Sequence, residues 1–119
     1  MKDDIEVVGP PSEASELRRR KGVVVAAYVV ANVEVIDPAA YEECRAKVAG
    51  TIAAYGGRYL ARAGAAEDLE GDWSPKRFVI LEFPSLARLK AWYNSPEYRP
   101  LLEMRKRTAR SSVIVVEGI

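Results

Sequence analysis

Tyr28, Asn32, Arg62 and Glu82 are spaced so that they could meet. Each falls on the same alternating face of an expected β-strand. A phenol, a carboxamide, a guanidinium and a carboxylate beside apolar walls are the groups from which small-molecule sites are built. Arg62 would hold an anionic oxygen, while Tyr28 and Asn32 would orient a ligand through hydrogen bonds. Glu82, enclosed by the surrounding wall, could shuttle a proton. A structural Arg62–Glu82 ion pair is the competing reading.

The chemistry is bounded by a missing residue type: the 119 residues contain no histidine. That removes His-ligated zinc, copper or haem and every Ser-His or Cys-His catalytic pair. Acid–base work falls to Asp, Glu, Tyr, Arg, Lys, Cys or the substrate itself, and no metal, haem or other cofactor is expected. The lone Cys44 excludes an intrachain disulfide and suits a reducing, cytoplasmic location. A net charge of +1 gives no global attraction to nucleic acid or an anionic membrane.

The elements that must position these groups follow from pattern. Residues 1–22 read as a polar, flexible arm with a short helix from Ser12 to Arg20, and residues 23–119 as one domain. A Val-rich strand runs from Val23 to Ile36. Asp37-Pro38 supplies a cap and a first-turn proline. Tyr41, Cys44, Val48, Ile52 and Tyr55 then form one helical stripe, closed by Gly56-Gly57. Strands are expected over 58–63, 76–83 and 112–117. Ser85 and Ser95 each precede a helix, and Arg105-Lys106-Arg107 is expected on the outer side of the second of these.

The order is βαββαβ, an α+β, ferredoxin-like arrangement. It predicts an antiparallel four-stranded sheet in the order 4-1-3-2 with helices on one face. Alternation puts Ala27, Val29, Ala31 and Val33 with Val79, Leu81 and Phe83 beneath the helices. Tyr28, Val30, Phe78, Ile80 and Leu60 remain on the other face, too apolar a surface to leave in water. Two such sheets packed face to face would make a homodimer, with Asn32, Arg62 and Glu82 in or near the enclosed space.

The segment LRRRKGVVVAAYVVANVEV, residues 17–35, imitates a membrane signal. Asn32 and Glu34 interrupt it well short of the about 20 apolar residues a span requires, and no clear cleavage site follows. A twice-covered strand explains the run, and no membrane partner is expected.

AYVVANVEVIDPAAYEE, YGGRYLARAG, LEGDW, FVILEFPS and WYNSPEY, in that order, resemble domain-of-unknown-function family 1330 (DUF1330) over about residues 23–118. The resemblance implies a dimeric α+β barrel but no particular reaction. Its recurrent positions map to Asp37, Tyr41, Arg62, Gly64, Glu70, Trp73, Glu82, Ser85, Tyr93, Ser95 and Tyr98, and Trp73 joins the ligand-binding candidates on that basis. Cys44 stands where an aromatic residue is common, and Ala63 interrupts the usual Arg-Gly-Gly. By sequence logic alone Asp37, Ser85 and Ser95 are helix caps, Tyr41 and Tyr93 are core, and Trp73 covers a barrel mouth.

Two functional classes stay open: a metal- and haem-free enzyme, oxygenase- or isomerase-like, on a small organic substrate, and a non-catalytic ligand-binding or interaction module. An RNA-recognition module shares the element order, but the third strand lacks its glycines and has Ile80 at the central stacking position. Nucleic acid is not an expected partner.

Overall fold

The computed structural model describes residues 13–119; of the expected arm over residues 1–22, residues 1–12, with the start of the helix at Ser12, lie outside the described residues. The elements are α1 (Glu13–Arg20), β1 (Ala27–Val35), α2 (Pro38–Ala54), β2 (Arg58–Gly64), β3 (Phe78–Phe83), α3 (Leu86–Tyr93), α4 (Arg99–Thr108) and β4 (Ala109–Glu117). One antiparallel sheet has the order β2-β3-β1-β4, the expected 4-1-3-2 read from its other edge.

β1 is central because both faces of its neighbours' ladders meet it. Ala27 pairs with Phe83 on one side and Glu117 on the other. It is shorter than expected: Val23 and Val24 lie outside the strand and are exposed, since the partner strands end level with Ala27. β4 begins earlier than expected, at Ala109. The backbone amides of Ile36 and Asp37 both donate to the Thr108 carbonyl, so the ladder takes over directly from α4.

Helices α2 and α3 start where their caps put them. The Asp37 carboxylate accepts from the Ala40 amide, and the Ser85 hydroxyl from the Arg88 amide. Ser95 accepts from the Tyr98 amide and donates to the Trp92 carbonyl. It thereby links two helices, though a turn intervenes and α4 starts only at Arg99.

Alternation along β1 and β3 is as expected. Ala27, Val29, Leu81 and Phe83 are buried against Ile52, Leu89, Trp92, Tyr98 and Leu102. Trp92 anchors this layer, its ring 4.2 Å from Tyr98 and 5.2 Å from Phe83, and its indole N–H donates 2.9 Å to the Thr51 hydroxyl.

β2 does not keep alternation. Register shifts separate Tyr59 from Ala61 and Arg62 from Gly64, so an extra residue enters the strand at each place. Arg58 pairs with Glu82 and Tyr59 with Leu81, but beyond the first shift Arg62 pairs with Val79. Val79 belongs to the helix-covered face, and Arg62 goes with it.

Candidate functional site

The sheet's helix-covered face and helices α2, α3 and α4 leave a cleft of about 260 Å³ between them. Its floor is aliphatic, with Val29, Ala31, Val33, Val79 and Leu81 from the two central strands. The helices contribute Tyr41, Cys44, Val48, Trp92 and Tyr98. Four arginines also line it, Arg45, Arg62, Arg77 and Arg105, and among the described residues no Asp or Glu does.

Each arginine arrives for a local reason. Arg45 lies one helical turn from Tyr41 and from Val48, on the inward stripe of α2. Arg77 has the parity of Val79 and Leu81, one step before β3 starts. Arg105 follows Tyr98 and Leu102 along the inward face of α4. It is half-buried, whereas Lys106 and Arg107 are exposed. The basic triplet is therefore split, correcting the expectation that all of it faces outward. Arg62 comes in through the bulge in β2.

At one end of the cleft three of these cations surround one carboxylate. Arg45 binds Glu42 through Nη2 at 2.7 Å and through Nε at 3.2 and 3.3 Å. Arg77 Nη2 stands 3.9 Å from the other Glu42 oxygen, an ion-pair distance but not a hydrogen bond. The Arg45 hydrogen bond lowers the Glu42 pKa from its ordinary value, and the charges of Arg45, Arg77 and Arg62 act in the same direction. Three positive groups and one negative leave a local excess of cation.

Arg62 and Arg77 are braced by rings. The Arg62 guanidinium lies 4.5 Å from the Tyr59 ring centroid, and that of Arg77 lies 5.4 Å from Tyr41. Such contacts contribute about 0.5–1 kcal/mol at exposed sites. They also occupy the guanidinium face, keeping the hydrogen-bonding edge available. Arg77 Nε is buried without a hydrogen-bond partner.

Deeper in, the groups that can donate are neutral. Burial raises the pKa of the Cys44 thiol and of the Tyr59 and Tyr98 phenols, so all three stay protonated at neutral pH. For Tyr98 the charge of Arg105 works against that rise. The Cys44 thiol donates to the Leu101 carbonyl, tying α2 to α4. Among the described residues no group of three or more His, Cys, Asp or Glu could hold a metal ion.

The four strand residues expected to converge do not all do so. Glu82 lies on the opposite face of the sheet from Arg62, where its carboxylate accepts from Arg58 Nε at 2.7 Å and from the Tyr28 hydroxyl at 3.3 Å. The expected ion pair thus exists with Arg58 in place of Arg62, because the bulge reverses the side to which Arg62 points. Asn32 shares the Glu82 face, but its carbonyl accepts from the Lys76 amide at 2.9 Å and so pins the chain entering β3. Trp73 is exposed and packs edge-on against Phe78, 5.1 Å between centroids. Asp68 orders its loop by accepting from the amides of Trp73 and Ser74. Of the five expected site residues, Tyr28, Asn32, Arg62, Trp73 and Glu82, only Arg62 enters the cleft.

Arg45, Arg77, Arg105, Tyr59, Tyr98 and Cys44 were missed as cleft residues. Helical spacing from Tyr41 to Arg45 and strand parity from Arg77 to Val79 were available signals. For Arg62 no local pattern marks the bulge.

The profile of the family described as "Domain of unknown function (DUF1330)" matches residues 26–119. No functionally curated protein matches the chain. Among solved structures, a protein of unknown function from Rhodopseudomonas palustris superposes with a TM-score of 0.67 at 16% identity, covering 96% of this chain and 98% of that one. A dimeric ferredoxin-like protein of unknown function from Jannaschia sp. CCS1 gives 0.58 at 19%, with 78% and 99% covered. SnoaB, a cofactor-independent oxygenase from Streptomyces nogalater, gives 0.56 at 13%, with 80% and 94% covered. At these identities the likenesses establish the fold, α+β and ferredoxin-like.

Proposed function

The chain belongs to the DUF1330 family, and from that membership and the cleft we propose that it is a homodimeric, cytoplasmic protein acting on a small organic molecule held between helices and sheet. The observation that carries this reading is the 260 Å³ cleft itself, apolar in its walls with a few polar groups converging on it. Arg62 keeps the role of holding an anionic oxygen. Glu82 gives up its catalytic role, and Tyr28, Asn32 and Trp73 belong to the side turned towards the second subunit.

An oxygenase- or isomerase-like reaction without metal or haem suits the groups present. Such a reaction passes through an enolate or phenolate. The arginines would stabilise that developing charge, and Tyr98 would orient the oxygen as a neutral donor. The cofactor-independent oxygenase among the structural neighbours supports this class by fold alone.

A second reading, binding without transformation, has its own support. Among the described residues no carboxylate or imidazole lines the cleft, so an acidic proton of the ligand has no ready side-chain base there.

A thermal-shift screen of small aromatic and aliphatic compounds tests the cleft. Compounds that stabilise the wild type should lose that effect in Val48→Phe, which fills the cleft from α2. Stabilisation that survives the substitution would place the ligand elsewhere. Turnover of those compounds, followed with oxygen uptake, then separates the enzyme from the carrier.

A further inference from the structure

We propose that the arginine end of the cleft is a carboxylate site, in which Arg62 and Arg77 bind the head of a small organic acid whose apolar body lies along the aliphatic floor. The inference rests on the cleft being the ligand site and adds the chemical class of the ligand.

Charge complementarity makes the first argument. Among the described residues four guanidiniums line the cleft and no acid does. Glu42, just outside the lining, is the acid that pairs with these arginines among the described residues, and it is committed to Arg45 at 2.7 Å. Arg77 receives only the 3.9 Å approach of its second oxygen, and Arg62 makes no ion pair among the described residues. Two cations therefore face the cleft with little or no neutralisation.

Geometry makes the second. Tyr59 and Tyr41 hold the faces of these two guanidiniums, which leaves planar edges of N–H donors, the arrangement that matches a carboxylate. Arg77 Nε already lies out of water with no acceptor. A buried donor in that state favours any ligand that brings an oxygen to it. The Glu42 carboxylate shows how an acid sits among these cations: the Arg45 hydrogen bond chiefly lowers its pKa, and the charges of Arg77 and Arg62 add smaller contributions in the same direction.

Size narrows the class. At about 260 Å³ the cleft falls just below the roughly 300–1,000 Å³ typical of drug-sized ligands. A single ring or a short chain fits behind the head group. A carboxylate on such a body meets the apolar floor and the cationic mouth together, while a fully apolar compound leaves the arginines unmatched.

The test is an NMR titration of the full chain with benzoate and hexanoate, each against its neutral amide. Carboxylates should bind and shift the amides of β1, β3 and α2. The isosteric benzamide and hexanamide should bind at least about ten-fold more weakly. Arg62→Gln and Arg77→Gln should each weaken benzoate or hexanoate about ten-fold. Glu42→Gln, which removes the internal competitor, should tighten the acids several-fold, a gain that damage to the fold cannot imitate. Acid and amide binding equally well in the cleft would overturn the carboxylate site and leave the ligand cleft standing. Acids whose affinity ignores both arginine variants would also overturn it. Shifts confined to residues outside the cleft, or none with any probe, would overturn the site and the cleft reading together.

Discussion

Ala63 carries a φ of 60°, the left-handed region in which a Cβ is strained. It sits at the second register shift of β2, where a glycine is the natural occupant of a bulge. The family resemblance has glycine there, so the departure noted in the sequence now has a physical consequence. Ala63→Gly should relieve about 1–2 kcal/mol of strain and give back part of it as unfolded-state entropy, for a net gain of about 0.5–1 kcal/mol. Urea unfolding would report this as a higher midpoint at unchanged slope; a lower midpoint would mean that Ala63 is unstrained. The earlier shift, between Tyr59 and Ala61, matters to function, since it decides which way Arg62 faces.

Among the elements, the join between α2 and β2 is the tightest. Gly56 turns the chain with a φ of 82°, and Gly57 then passes directly over the core. A Cβ at Gly57 would stand 2.6 Å from the Phe83 ring and 2.9 Å from Ile52 Cγ2. Neither neighbour is free to retreat, because Phe83 and Ile52 are both fully buried. Gly57→Ala should therefore cost about 1–3 kcal/mol, the usual penalty of overpacking, measurable by chemical denaturation. A neutral effect would mean that α2 can slide outward. The Gly56-Gly57 pair was readable as a helix stop, but the second glycine's close approach was not, since it depends on a strand more than twenty residues away. The Asp37 and Ser85 caps, the helical stripes and the parity of β1 and β3 were readable for one reason: each is a rule about neighbours along the chain. The exit from α4 into β4 was misplaced because its partner, the Thr108 carbonyl, acts across the sheet on Ile36 and Asp37.

For the whole molecule, the open question of assembly lies on the uncovered sheet face. Leu60, Ile114 and Val116 are each about half exposed there, beside Tyr28, Val30, Phe78 and Ile80. β4 supplies Ile114 and Val116 opposite Val30 and Tyr28, which extends the apolar surface to the edge of the sheet. An apolar face of that breadth is usually covered, and a second copy of the same face covers it in our reading. Ile114→Lys should convert a dimer into a monomer in sedimentation equilibrium without unfolding it, because the side chain is 55% exposed in the single chain. A wild-type protein that sediments as a monomer would end the dimer reading. Within residues 17–35, α1 ends at Arg20 and β1 begins at Ala27, and among the described residues no helix is long and apolar enough to cross a bilayer. By itself the sequence determined the element order, the sheet order and which residues of β1 and β3 face the helices, because periodicity and caps are local and repeat along the chain. Only the tertiary structure decided where a ligand could sit. Register shifts in β2 depend on its pairing with β3, and they carried Arg62 through the sheet, away from Glu82 and towards Arg77 and the helices.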